Sequence, residues 1–138
     1  MTRCHQLNCT RNVHMWKRIK TSKKFLEELK EDEEQKLLVD YLNINGILFY
    51  HVPNGGYRTI LEAVKLKRQG VKKGVPDICI CSARKGHHGL YIELKRKNLG
   101  SVSISQAEWI KNLNSAGYLA FVAYGFDEAK KIVDEYFG

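Results

Sequence analysis

The chain has 138 residues, 43% of them hydrophobic and 28% charged, with only 2 prolines, which is the size and composition of one globular domain and excludes disordered, collagen-like and low-complexity classes. Its 23 Lys and Arg outnumber 15 Asp and Glu, a net charge of +8 that points to a polyanionic partner such as nucleic acid. The longest apolar run, Tyr118 to Tyr124, falls far short of the roughly 20 residues needed to span a bilayer, so no membrane partner is expected.

Residues 1–21 read as a basic N-terminal extension, and residues 22–138 as a single domain. The extension lacks the apolar stretch of a signal peptide, so an intracellular, cytoplasmic protein is expected, with its four cysteines as thiols rather than a disulfide framework. Cys4, His5, Cys9 and His14 do not have common zinc-finger spacing. From Ser22 to Asn43 apolar residues recur at helical spacing (Phe25, Leu26, Leu29, then Leu37, Leu38, Tyr41, Leu42) and predict a long amphipathic helix ended by Gly46. Four acids, Glu31 to Glu34, open its second half. Glu34 shares a face with Leu38 and Tyr41, a poor place for a solvated carboxylate.

Ile47 to Val52 reads as a strand, broken by the turn residues Pro53-Asn54-Gly55-Gly56. Thr59 and Glu62 have capping-box spacing and open a basic helix that stops at Gly70. Val75 to Cys81 and Leu90 to Lys95 are the next strands, joined as a hairpin through a polar connection that holds His87 and His88. Ser103 with Gln106, or Ser105 with Glu108, caps the next helix, which runs to Gly117. Tyr118 to Tyr124 has the continuous apolar character of a strand buried on both faces, and Asp127 to Phe137 carries Ala129, Ile132, Val133 and Tyr136 on one helical face. The order α-β-α-β-β-α-β-α predicts an α/β fold, a four-stranded mixed sheet flanked by helices.

Charge is unevenly spread: residues 1–30 carry 8 basic and 2 acidic groups, residues 57–73 carry 6 and 1, and the acids concentrate between them. Positive charge to hold a phosphate backbone beside carboxylates able to hold a metal suits a metal-dependent enzyme acting on nucleic acid. In Leu90-Tyr91-Ile92-Glu93-Leu94-Lys95, strand alternation puts Glu93 and Lys95 on one face, with roots about 6.6 Å apart. The hairpin brings Asp77, just after Pro76, to the same end. Asp77, Glu93, the main-chain carbonyl of Leu94 and Glu34, the last directly or through water, are then candidate oxygen ligands for Mg²⁺ or Mn²⁺. A surface Glu93–Lys95 pair is the structural alternative.

Pro76-Asp77 followed by Glu93-Leu94-Lys95 resembles the signature of the PD-(D/E)XK nuclease superfamily. The wider frame of Glu34-Gln35, His51 to Arg58, Gly70 to Asp77, Gly89 to Lys95, and Ser103 with Gln106 and Trp109 resembles its VRR-NUC branch, the virus-type replication-repair nucleases, in the stand-alone phage or bacterial form. The resemblance implies a restriction-endonuclease-like core. It places metal-binding acids at Asp77 and Glu93, the catalytic lysine at Lys95, a helix acid at Glu34 with Glu31 in competition, and a site glutamine at Gln106. Asn54 and Arg58 match the family's loop, and with Lys65, Arg68, Lys72, Lys73, Arg96 and Lys97 they are the expected substrate-binding residues. It further implies a homodimer cutting branched DNA such as four-way (Holliday) junctions; such an interface needs apolar surface not claimed by the core, for which the C-terminal helix around Tyr136 and Phe137 is one candidate. The alternatives are a general or restriction-like DNA endonuclease without junction preference, and a non-catalytic basic DNA-binding module.

Overall fold

The computed structural model describes residues 31–56 and 58–138. The N-terminal extension, the Cys4/His5/Cys9/His14 group, the first turns expected of the first helix and Tyr57 lie outside the described residues. In chain order the described elements are α1 (Glu31–Ile44), β1 (Phe49–His51), α2 (Ile60–Arg68), β2 (Ile78–Ile80), β3 (Leu90–Lys95), α3 (Ile104–Ser115), β4 (Leu119–Tyr124) and α4 (Phe126–Phe137). This is the predicted order. The sheet runs β1-β2-β3-β4, antiparallel for the first two pairs and parallel between β3 and β4. Parallel neighbours need a crossover, and α3 supplies it.

Strand alternation divides the sheet into an apolar face and a chemical face. Ile78, Ile80, Leu90, Ile92 and Leu94 are fully buried against Leu38 and Leu42 of α1 and Ala129 and Val133 of α4. Each such Leu or Ile contributes about 1.5–3 kcal/mol through burial. Tyr41 joins the two helices: its hydroxyl donates to the Asp134 carboxylate and its ring meets Phe126 edge-on. Both predicted capping boxes form. Thr59 and Glu62 close the start of α2, and Ser103 rather than Ser105 caps α3, because Gln106 reaches back to the Ser103 amide. Among the described residues, no helix is long and apolar enough to cross a membrane.

The structure corrects several expectations. The ladder over Ile47 to Val52 narrows to Phe49–His51, although Cys81 N–H to Leu48 O (3.0 Å) and Val52 N–H to Asp77 O (2.8 Å) continue the pairing at its ends. The apolar run 118–124 forms an edge strand, not a central one, and Phe121 and Tyr124 are exposed. Its main chain is instead covered locally: the Asn114 amide bonds both Ala120 N–H and C=O (3.1 Å each), and Glu128 accepts the Tyr124 N–H (2.9 Å). Tyr136 is 2% exposed and its hydroxyl donates to Ser82 O, while Phe137 packs on the core under Arg84. The C-terminal helix therefore spends these rings on its own fold and does not offer them as an interface. Cys79 is buried and Cys81 exposed, and His88 is exposed with its ring meeting Tyr118 edge-on.

Candidate active site

The site forms where the start of β2, the end of β3 and the first turn of α1 meet. The β2–β3 register pairs Ile78 with Ile92, which carries Asp77 to the level of Glu93. One Asp77 oxygen accepts the main-chain N–H of Leu94 at 2.9 Å, fixing the carboxylate at the strand end. Burial pushes its carboxyl up from the ordinary range, opposed by that N–H and by Lys95.

Glu93 is 1% exposed. Its Oε1 accepts from Lys95 Nζ at 2.5 Å and from Gln106 Nε2, while Oε2 is buried with no hydrogen-bond partner among the described residues. Desolvation pushes this carboxyl up; Lys95 opposes the shift and Asp77 adds to it. For Lys95, burial pulls the ammonium down, and the pair with Glu93 with the nearby acids outweighs it, so the net shift is upward. Lys95 is therefore charged beside Glu93. Gly100 packs on its stem, where a Cβ would lie 2.6 Å from Lys95 Cβ. Gln106 serves twice, its Oε1 capping α3 and its Nε2 holding Glu93.

Asp77, Glu93, Lys95 and Gln106 are thus brought together, and the side-chain hydrogen bonds that join them do not include Glu34. The reading of Glu34 as a buried member of the apolar stripe holds, since it is 1% exposed beside Leu38 and Tyr41. That stripe packs on α4 as well as on the sheet, and Glu34 abuts Gly125, where a Cβ would lie 3.0 Å from its Oε1. Burial pushes its carboxyl up, and Asp127 and Glu31 add to the shift while Lys97 and Arg96 oppose it. The acid that acts on Asp77, Glu93 and Lys95 is Glu31. It lies one turn earlier, is exposed, and accepts the Arg96 N–H at 3.3 Å.

Glu31, Gln35, His51, Asn54 and Asp77 line a cavity of about 590 Å³. His51 is a member that sequence reasoning left outside the site. Its Nδ1 donates to the main-chain oxygen of Asp77 (2.9 Å), and the Gln35 amide lies against its ring. The available signal was the antiparallel pairing itself, which sets His51 opposite Ile78. Asn54 donates to Val75 O at 2.5 Å and also borders a second cavity of about 480 Å³, with Arg58, Lys67, Lys72 and Lys73. Arg96 and Lys97 follow β3 on the α1 side, and Lys65 and Arg68 occupy the far side of α2.

No group of three or more His, Cys, Asp or Glu side chains among the described residues is arranged to hold a metal ion by itself. Mg²⁺ requires less: it binds through one or two carboxylates and keeps several waters. Asp77 and Glu93, with the buried unpartnered Oε2 of Glu93 and the adjoining Leu94 main chain, are hard oxygen donors that fit such an ion.

A family model described as the VRR-NUC domain matches residues 29–127. A solved structure called VRR_NUC domain protein is 34% identical over 78% of this chain and 88% of its own, with a TM-score of 0.68. A second, called VRR_NUC domain, is 19% identical over 77% of this chain and 96% of its own with a TM-score of 0.55, a likeness of fold. No curated protein matches the chain.

Proposed function

The chain belongs to the VRR-NUC family, nucleases of the PD-(D/E)XK type, and on that premise we propose that it is a Mg²⁺- or Mn²⁺-dependent endodeoxyribonuclease that hydrolyses phosphodiesters in branched DNA. The carrying observation is Glu93: Lys95 and Gln106 occupy one carboxylate oxygen, the other is buried without a hydrogen-bond partner among the described residues, and the Asp77 charge acts on the same carboxyl. A desolvated carboxylate left with an open oxygen is costly for folding alone. It suits a cation site.

Hydrolysis requires water to attack phosphorus in line and charge to be relieved on the phosphoryl and leaving oxygens. Asp77 and Glu93 would hold the ion, which when bound lowers the pKa of a water and draws charge from the phosphate. Lys95 supplies a fixed positive charge to the same phosphate. Gln106 and Lys95 orient Glu93 through Oε1, and the Leu94 N–H orients Asp77. Glu31 replaces Glu34 as the helix acid of this reading, and the Arg58, Lys67, Lys72 and Lys73 cleft takes the backbone beyond Asn54. A homodimer would place two such sites about a twofold axis, as paired nicking of a junction requires.

Incubation with four-way, flapped and linear duplex DNA in Mg²⁺, Mn²⁺ or chelator tests the proposal. Cutting in either metal with preference for the branched substrates is expected. Cutting in chelator overturns metal dependence, and equal cutting of linear duplex overturns branch selectivity. Glu31→Gln is expected to slow cleavage by about 10², whereas Glu34→Gln, packed against Gly125 at the start of α4, keeps the rate near wild type. Initial rates on one junction decide the assignment, and the reverse order returns it to Glu34.

A further inference from the structure

Helix α2 buries none of its residues. At 100° per residue Ile60, Val64 and Leu61 share one face, and they are 84%, 51% and 82% exposed. Arg68 continues that face, and Lys65 and Lys67 flank it. The opposite side of the helix, through Ala63 and Leu66, lines the basic cavity that meets the active-site cavity at Asn54. The Thr59–Glu62 capping box closes the first turn, so Ile60 and Leu61 are held on a fixed support.

Two bulky aliphatic side chains at the tip of a basic helix fit a partner that is both anionic and able to offer apolar surface. A second copy of this face would oppose Lys65, Lys67 and Arg68 with themselves, a like-charge contact. DNA offers phosphates to those groups and base faces to the aliphatics, and aliphatic side chains of this kind insert between bases where stacking is weak. We propose that Ile60 and Leu61 form an apolar wedge that enters the base stack at a branch of the DNA substrate, with Lys65, Lys67 and Arg68 holding the flanking phosphates. The wedge rests on the branched-DNA reading and adds to it the feature that would recognise the branch.

A four-way junction carrying 2-aminopurine at the branch, which brightens on unstacking, tests the wedge with the full chain in chelator at low salt. Binding is expected to raise the fluorescence. An Ile60→Ser/Leu61→Ser double variant, with every charge intact, is expected to bind and lose the rise, and Leu61→Phe to keep it. A dark complex of the wild-type protein, or a double variant that keeps the rise, overturns the wedge. So does a double variant that sediments as a smaller species than wild type without DNA, because the face is then a contact between copies. Failure of the nuclease reading is seen separately, as no cutting in Mg²⁺ while unstacking persists.

Discussion

Asp77→Asn is expected to lower the cleavage rate by on the order of 10³ or more, while leaving the fold and low-salt DNA binding in place. The amide retains an oxygen to accept the Leu94 N–H, so the local hydrogen bond survives. What is lost is the negative charge that acts on Glu93 and Lys95. Stability supplies a second readout. Burial raises the Asp77 and Glu93 carboxyls above their ordinary values of 3.8 and 4.5, so the folded chain holds their protons more tightly than the unfolded chain does. Their contribution to stability is therefore full below the ordinary values and is lost as pH rises through the raised ones. Neutral pH is the unfavourable side for the metal-free protein. In chelator at pH 7, Asp77→Asn is expected to melt a few degrees above wild type, and the difference to shrink toward pH 4. Mg²⁺ is expected to raise the wild-type Tm and not that of the variant. A variant that cuts DNA, or a wild-type Tm indifferent to Mg²⁺ and Mn²⁺, removes Asp77 from the site.

Lys95→Ala is expected to lower the rate by about 10²–10³ and to destabilise the protein as well. Lys95 is 9% exposed and its ammonium lies 2.5 Å from Glu93 Oε1, where little water screens its charge. Removing it leaves a buried carboxylate whose other oxygen already lacks a partner, a loss of about 3–5 kcal/mol when one member of a buried pair is deleted. A double variant, Lys95→Met with Glu93→Gln, separates the two effects. It removes the stranded charge and is expected to recover most of the melting temperature while remaining inactive. Recovery of activity with stability would remove both Lys95 and Glu93 from the catalytic machinery.

Much of this architecture is legible along the chain because it follows from short-range geometry. Alternation places Glu93 and Lys95 on one face of β3, and a hairpin of the right length returns Asp77 to their level. Capping chemistry marks the starts of α2 and α3, although only the fold shows that Ser103 caps and that its partner Gln106 also reaches Glu93. Periodicity likewise identifies Glu34 as buried, but burial does not name the neighbour. The stripe of α1 packs on the sheet and on α4, some ninety residues later, so Glu34 abuts Gly125 at the start of α4 while Glu31 accepts the Arg96 N–H just after β3. The same limit explains β4 and α2. Seven apolar residues look alike in a central strand and in an edge strand whose main chain is covered by Asn114 and Glu128, and an amphipathic helix looks alike whether or not another element covers it. A residue's period along its own element is set by backbone geometry within a few residues, and the sequence carries it directly. Which surface meets that face is decided by packing between distant segments, and only the tertiary structure determines it.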